Sequence, residues 1–195
     1  MKIILGSSSK GRKLIMDELA KELNFTFEIA HPDIDEKAIR FDDPQTLVTA
    51  IANAKADALI SKIKEPAIII CSDQVVLYKN KIREKPTNKD EARQFLNDYS
   101  TYEPETIGAV VVVNTANNKR ACGIQTSKIH FKPLTKEIID EHVESGASLD
   151  GAGGFIIHDQ NLSKFIHKIE GGFDSATGLS KELVKKLIKE VGGKI

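Results

Sequence analysis

Residues 1–23 read MKIILGSSSKGRKLIMDELAKEL. The apolar run over residues 2–5 has the character of a strand. Beyond it Leu14, Ile15, Leu19 and Leu23 recur at helical spacing, so the order is strand, loop, helix. The loop is the informative part. Gly6 and Gly11 bracket four residues and a basic residue follows, which comes close to the phosphate loop G-x-x-x-x-G-K-[ST]. In a true phosphate loop the Lys reaches the β and γ phosphates and the Ser or Thr hydroxyl binds magnesium. Here Arg12 stands in the Lys position and Lys13 in the Ser/Thr position, and an ammonium cannot ligate a cation. The metal half of the motif is missing, which counts against a kinase. An anion site remains open, because a helix N-terminus presents free N–H groups. Ser7, Ser8 and Ser9 add hydroxyls, and Arg12 and Lys13 add charge. The same residues also fit a serine cap followed by solvated basic side chains.

Outward from this turn, apolar runs alternate with helical patterns, which predicts an α/β or mixed α+β fold. Phe25, Phe27 and Ile29 alternate with polar residues as in a second strand. HPDIDEKAIR (31–40) is polar and reads as a loop. Asp43-Pro44 opens a helix that runs to about residue 62, with Leu47, Val48, Ile51, Leu59 and Ile63 on its apolar side. AIIIC (67–71) is a strand, and Lys79-Asn80 marks a hairpin tip. Asn88 and Glu91 cap another helix. Residues 105–131 read as a long hairpin with an Asn-rich turn. Thr135 caps a helix carrying Ile138, Ile139 and Val143, SGASLDGAGG (145–154) has no periodicity, and a last helix starts near Ser180. No linker separates independent domains, although the second hairpin leaves room for a second lobe.

Charge narrows the function. Among the 195 residues, 28 basic side chains balance 28 acidic ones, which argues against broad binding of nucleic acid or an anionic membrane. No apolar run reaches the length of a membrane span, and the initial one is too short for a signal sequence. A cytosolic protein is expected. Cys71 and Cys122 lie in or beside strand-like runs and are read as buried thiols, with a single disulfide left open.

Several residues could supply chemistry. Asp73 follows the strand AIIIC, where α/β sheets place ligands. Lys55 lies among alanines in IANAKA, which would let another element approach closely, or is simply exposed on its helix. Lys85 lies in REKP. Asp35 and Glu36 could hold a hard cation through oxygen, or form an ordinary polar turn. Phosphoanhydride hydrolysis needs cations on the phosphates, a metal, and a carboxylate for the water.

These motifs, in this order, resemble the Maf family of nucleotide pyrophosphatases over nearly the whole chain. LGSSSKGR is similar to the family's L-[AG]-S-x-S-x-x-R and matches Leu5, Ser7, Ser9 and Arg12. IDE gives Glu36, ANAKA gives Lys55, CSDQVVL gives Asp73, and EKP gives Lys85. LDGAGG and Gly178-Leu179 resemble the family's glycine loop and closing G-L. The resemblance implies one domain over residues 1–195, in two lobes around a cleft. Its fold would be that of the inosine triphosphate pyrophosphatases: elongated, with a central twisted mixed sheet, flanking helices and a deep cleft.

The implied reaction is hydrolysis of a nucleoside triphosphate between the α and β phosphates, for removal of surplus or non-standard nucleotides. Asp73 would be the base, Lys55, Lys85, Arg12, Ser7 and Ser9 would bind phosphate, and Glu36 and Asp73 would hold magnesium or manganese. An Asp with an ordinary pKa of about 3.9 is a weak base, so the metal is expected to share the work. A homodimer is also implied.

The chain departs from the family where many members have S-P-R-R. One arginine is absent, and Lys10 or Lys13 would compensate. Gln74 replaces a Thr, and His158 in FIIHD stands where the family has a Gln around the nucleotide; His158 would read a base edge or move a proton, or is simply structural. These changes bear on the base, for which pyrimidine triphosphates (dTTP, UTP) or modified nucleotides are expected. The competing readings are a phosphate-loop kinase and a non-catalytic nucleotide-binding protein.

Overall fold

The computed structural model describes residues 1–194. Strand β1 (Lys2–Gly6) leads into helix α1 (Lys10–Leu23) and then strand β2 (Glu28–Ala30). Helix α2 (Pro44–Ile60) is followed by β3 (Ala67–Tyr78), β4 (Lys81–Arg83) and α3 (Lys89–Asp98). The long strands β5 (Glu105–Asn114) and β6 (Lys119–Phe131) precede α4 (Lys136–Glu144). Strand β7 (Ile166–Glu170) and helices α5 (Phe173–Thr177) and α6 (Lys181–Glu190) close the chain. Seven strands form one mixed sheet in the order β2-β1-β3-β5-β6-β7, with β4 paired to β3. The expected mixed α/β class is thus what the chain adopts.

The chain divides into two compact units. The first comprises Met1–Asp73, Gly108–Gln125 and the stretch from Gly178 onward; the second comprises Gln74–Ile107 and Thr126–Thr177. Strands β3, β5 and β6 contribute residues to both.

In the first unit β1 runs parallel to β2 and β3, with Leu5 opposite Ile70 and Gly6 opposite Cys71. The pleat sends neighbouring side chains to opposite faces. Ile68 and Ile70 face the apolar sides of α1 and α6, packing with Ile15, Met16, Leu19, Val184, Leu187 and Ile188. Cys71 and Asp73 point the other way, where Asp73 meets Lys55 of α2.

The second unit has its own core. There Val76, Tyr78, Leu96, Tyr99, Ile129, Ile139 and Phe155 pack together. Tyr99 stacks on Phe131 at 5.9 Å and meets Phe155 edge-on at 5.6 Å.

Local signals explain the element ends. Ser9, Asp43, Asn88 and Ser180 each accept an N–H three residues on, as helix caps do. Glu91 reaches back to the N–H and hydroxyl of Thr87, both at 2.7 Å, rather than to the cap residue itself. Lys79 and Asn80 take positive φ at the β3–β4 turn, as a two-residue hairpin requires.

Thr135, expected to cap α4, makes no side-chain capping bond there. Four further expectations need correction. First, β2 begins only at Glu28; Phe25 and Phe27 precede it and pack against the core without pairing. Second, Leu14 is 39% exposed, because the apolar face of α1 centres on Ile15 and Leu19. Third, β3 does not stop at Cys71. It runs through Asp73 to Tyr78, so the carboxylate stands mid-strand and not past a strand end. Fourth, Cys122 is exposed on β6, beside Thr49 of α2, whereas Cys71 is buried; both are free thiols.

Candidate active site

The turn after β1 is short. Residues 7–9 lie between β1 and α1, and Gly11 is already a buried residue of the helix. That geometry differs from a phosphate loop, in which the second glycine belongs to the loop. Gly6 serves packing: a Cβ there would lie 2.6 Å from Leu59 Cδ1 and closer still to Cys71 Sγ. Ser7 Oγ accepts the Ser9 N–H at 3.1 Å, and Ser9 Oγ caps the helix by accepting the Arg12 N–H at 3.4 Å. No acid stands in the first turn of α1, while Lys10, Arg12 and Lys13 all do. Cations there oppose the helix dipole, which favours anions at this end. The turn is therefore short of a negative charge.

Arg12 is half-buried and pinned. Its Nε donates to the carbonyl of Gly178 at 3.2 Å and Nη1 to Ser7 Oγ at 3.5 Å. Burial pushes the guanidinium below its ordinary pKa, while nearby Asp73, Glu36 and Cys71 pull the other way. Ser72 Oγ donates to the same Gly178 carbonyl at 3.0 Å. Gly178 sits at φ 115°, a conformation that suits glycine. Ser72 and Gly178 were not singled out as site-forming from the sequence; the closing Gly178-Leu179 pair was the available signal.

Lys55 is only 6% exposed. Its neighbours Ala52 and Ala56 are fully buried, so α2 sits close to the sheet and the long side chain reaches across it. Lys55 Nζ lies 2.8 Å from Asp73 Oδ1 and 3.1 Å from Glu36 Oε1. Two carboxylates thus converge on one ammonium. Glu36 arrives on a single 3-10 turn, Glu36–Ala38, capped by Asp35 Oδ1, which accepts the Lys37 N–H at 3.1 Å. Of the two candidate acids, Glu36 joins the cluster and Asp35 builds the turn. Burial also pushes the neighbouring Cys71 thiol up to about 12, so it carries no charge at neutral pH.

Lys13 is exposed and paired with Asp17 at 2.6 Å. In the second unit, Gln74 donates through Nε2 to the Ala176 carbonyl at 3.1 Å. Gln74 Oε1 and His158 Nδ1 are buried and have no partner among the described residues. Lys85 is exposed just past β4, without a hydrogen-bond or ion-pair partner among the described residues.

The backbone before Lys85 is locked. The Gly153 N–H donates to Glu84 O at 2.9 Å, and Tyr99 Oη donates to Gly153 O at 2.8 Å. Buried Arg83 lies over the Tyr78 and Phe95 rings, at 4.0 and 4.4 Å, and pairs with Asp98. Arg83 opens REKP but was not singled out from the sequence, and Tyr99 carried no motif. Among the other histidines, His142 is buried with Nε2 3.1 Å from Gly154 O, and His31 and His167 are exposed. His130 is partly buried between Glu103 and Glu170.

Among the described residues no group of three or more His, Cys, Asp or Glu gathers as a metal cage. Two carboxylates around one cationic atom nevertheless fit a magnesium-like ion. Such ions take one or two carboxylates and fill the rest of their shell with water and phosphate oxygens.

A mixed α/β fold with a buried ammonium between two carboxylates is the arrangement this chain presents. The chain belongs to the Maf family: the family model described as Maf-like protein matches residues 2–191. A 7-methyl-GTP pyrophosphatase of Dictyostelium discoideum is 38% identical, covering 97% of this chain and 96% of its own. A dTTP/UTP pyrophosphatase of Desulforamulus reducens is 33% identical, covering 91% and 90%. Among solved structures, a HAM1 protein from Coxiella burnetii aligns over 97% of this chain and 99% of its own, at 14% identity and TM-score 0.48.

Proposed function

We propose that the protein hydrolyses a nucleoside triphosphate at the α–β bridge, giving a nucleoside monophosphate and pyrophosphate. The observation that carries this reading is the buried Lys55 held between Asp73 and Glu36. Such a cluster supplies in one place a cation for phosphate and carboxylates for water and metal. The names of the relatives support it, since both describe pyrophosphatases.

In this reading Arg12, Ser7 and Ser9 hold phosphate oxygens at the N-terminus of α1, where the missing negative charge is supplied by substrate. Lys55 neutralises further phosphate charge, and the family resemblance also assigns Lys85 and Lys13 to phosphate. Asp73 orients a water and takes its proton as the water oxygen bonds to phosphorus and the bridging P–O bond breaks. The bonding pair leaves with pyrophosphate. Glu36 and Asp73 would hold magnesium or manganese, which supplies Lewis-acid stabilisation of phosphate charge when bound.

The family resemblance assigns Gln74 and His158 to the base, and each has an unpaired polar atom to offer it. The substrate is a pyrimidine triphosphate or a base-modified one such as 7-methyl-GTP. The family resemblance supports a cytosolic homodimer.

Pyrophosphate release from dTTP, UTP, 7-methyl-GTP, GTP and ATP with magnesium tests the reading. One of the first three should exceed ATP and GTP. Asp73→Asn should lower turnover of that substrate by about 100-fold or more. No pyrophosphate from any of the five would overturn the assignment, and full activity in Asp73→Asn would remove Asp73 from its role.

A further inference from the structure

The charge balance of the Lys55 cluster leads to an inference about the order of events. It rests on the proposed pyrophosphatase reading. The cluster comprises two carboxylates, Asp73 and Glu36, and two cations, Lys55 and, near both acids, Arg12. The cluster is neutral as it stands. Lys55 is also placed where a cation would be, within 3.1 Å of an oxygen of each acid.

We infer that Lys55 is the placeholder in its own metal site: it holds Glu36 and Asp73 together in the free enzyme and gives them up only when nucleotide arrives. A divalent ion approaching the free protein meets two carboxylates whose charge is already matched, and a buried ammonium in the way. The side-chain exposures fit this picture. Lys55 and Asp73 are 7% and 10% exposed, whereas Glu36 is 49% exposed. One acid is fixed in a strand and the other can turn outward to a new ligand.

Triphosphate changes the balance by bringing excess negative charge. The Lys55 ammonium then exchanges carboxylate oxygens for phosphate oxygens, its four-carbon stem allowing a swing without backbone movement. The freed carboxylates become available to a cation that enters with the substrate. Metal and nucleotide therefore bind with positive coupling, and free metal binds weakly. By linkage the effect is reciprocal.

Manganese titration followed by electron paramagnetic resonance tests this on the full-length wild-type protein. Free Mn²⁺ should bind at least about tenfold more tightly with a saturating α,β-methylene triphosphate analogue than without it. Lys55→Met should bind Mn²⁺ about tenfold more tightly than wild type with no nucleotide present, and Glu36→Gln in that background should abolish the gain. Equal Mn²⁺ affinity of free wild type and Lys55→Met would overturn the inference. So would equal wild-type affinity with and without the analogue, a comparison that stands even if Lys55→Met fails to fold. Pyrophosphate release is measured on the same preparation. Its absence would sink the pyrophosphatase reading, while the nucleotide-free comparison would still decide the role of Lys55.

Discussion

Among the described residues each unit buries one long cation, and the two are held in opposite ways. Lys55 in the first unit and Arg83 in the second are 6% and 7% exposed. Lys55 is held by two carboxylates and, among the described residues, by no aromatic ring. Arg83 lies between the rings of Tyr78 and Phe95, donates to Phe95 O at 3.3 Å and pairs with Asp98. An ammonium among acids can change partners when a stronger anion comes. A guanidinium between rings is fixed by packing, and a change of anion does not release it. Burial of a charge thus identifies neither a catalytic nor a structural group. The nature of its partners separates the two.

The sharpest way to break the comparison is a crossed pair of truncations. Lys55→Ala should cut turnover by about 100-fold or more, since it removes phosphate charge neutralisation. Arg83→Ala should instead cost about 2–3 kcal/mol of stability, through lost ring contacts and an unpaired Asp98, read as a fall in the urea midpoint. Arg83→Lys should not restore it, because a point charge cannot stack as the planar group does. If Arg83→Ala kept wild-type stability and Lys55→Ala kept wild-type turnover, the contrast would be wrong.

Gly6→Ala should have a smaller effect that blends the two. The new Cβ collides with Leu59 and Cys71, so about 1–3 kcal/mol should be lost to overpacking. The neighbouring Ser7 would move with it, so KM for triphosphate should rise alongside the lost stability. A fall in stability without any change in KM would separate the turn from this packing.

The smallest effect concerns the two thiols. Cys122 should react with an aromatic disulfide reagent at pH 8, while Cys71, buried and pushed up to about 12, should stay protected until the chain unfolds. Labelling of both thiols in the native protein would show that the first unit opens readily.

What was legible in the sequence follows the range of the interactions. Caps at Ser9, Asp43, Asn88 and Ser180 involve bonds over three residues, and each stood where the pattern put it. The Lys79-Asn80 turn was equally local. Strand β7 and helix α5 gave no periodic signal; β7 has five residues and depends on pairing with β6 across a bulge. The mid-strand place of Asp73 was missed for the same reason, since Ser72-Asp73-Gln74 is polar and only its setting in the sheet keeps it extended.

The Lys55 cluster joins residues 18 positions apart, and Arg12 reaches a carbonyl 166 positions away. No spacing rule links such residues. Only the order of motifs along the whole chain suggested that they belong together. Even that order did not show that Lys55 binds both acids, because a motif names residue types and not their partners.

The continuity of β3 has one more consequence, for how the chain can vary in length. Side chains alternate along the strand, with Ser72 turned to Gly178 and Asp73 to Lys55. Inserting or deleting one residue between Ala67 and Asp73 would exchange those two faces and send the carboxylate toward α1 and α6. Glu36 is under no such constraint, because its single turn lies in an exposed loop that can lengthen or shorten around it. Related chains should therefore hold β3 to a fixed count and spend their insertions in residues 31–43.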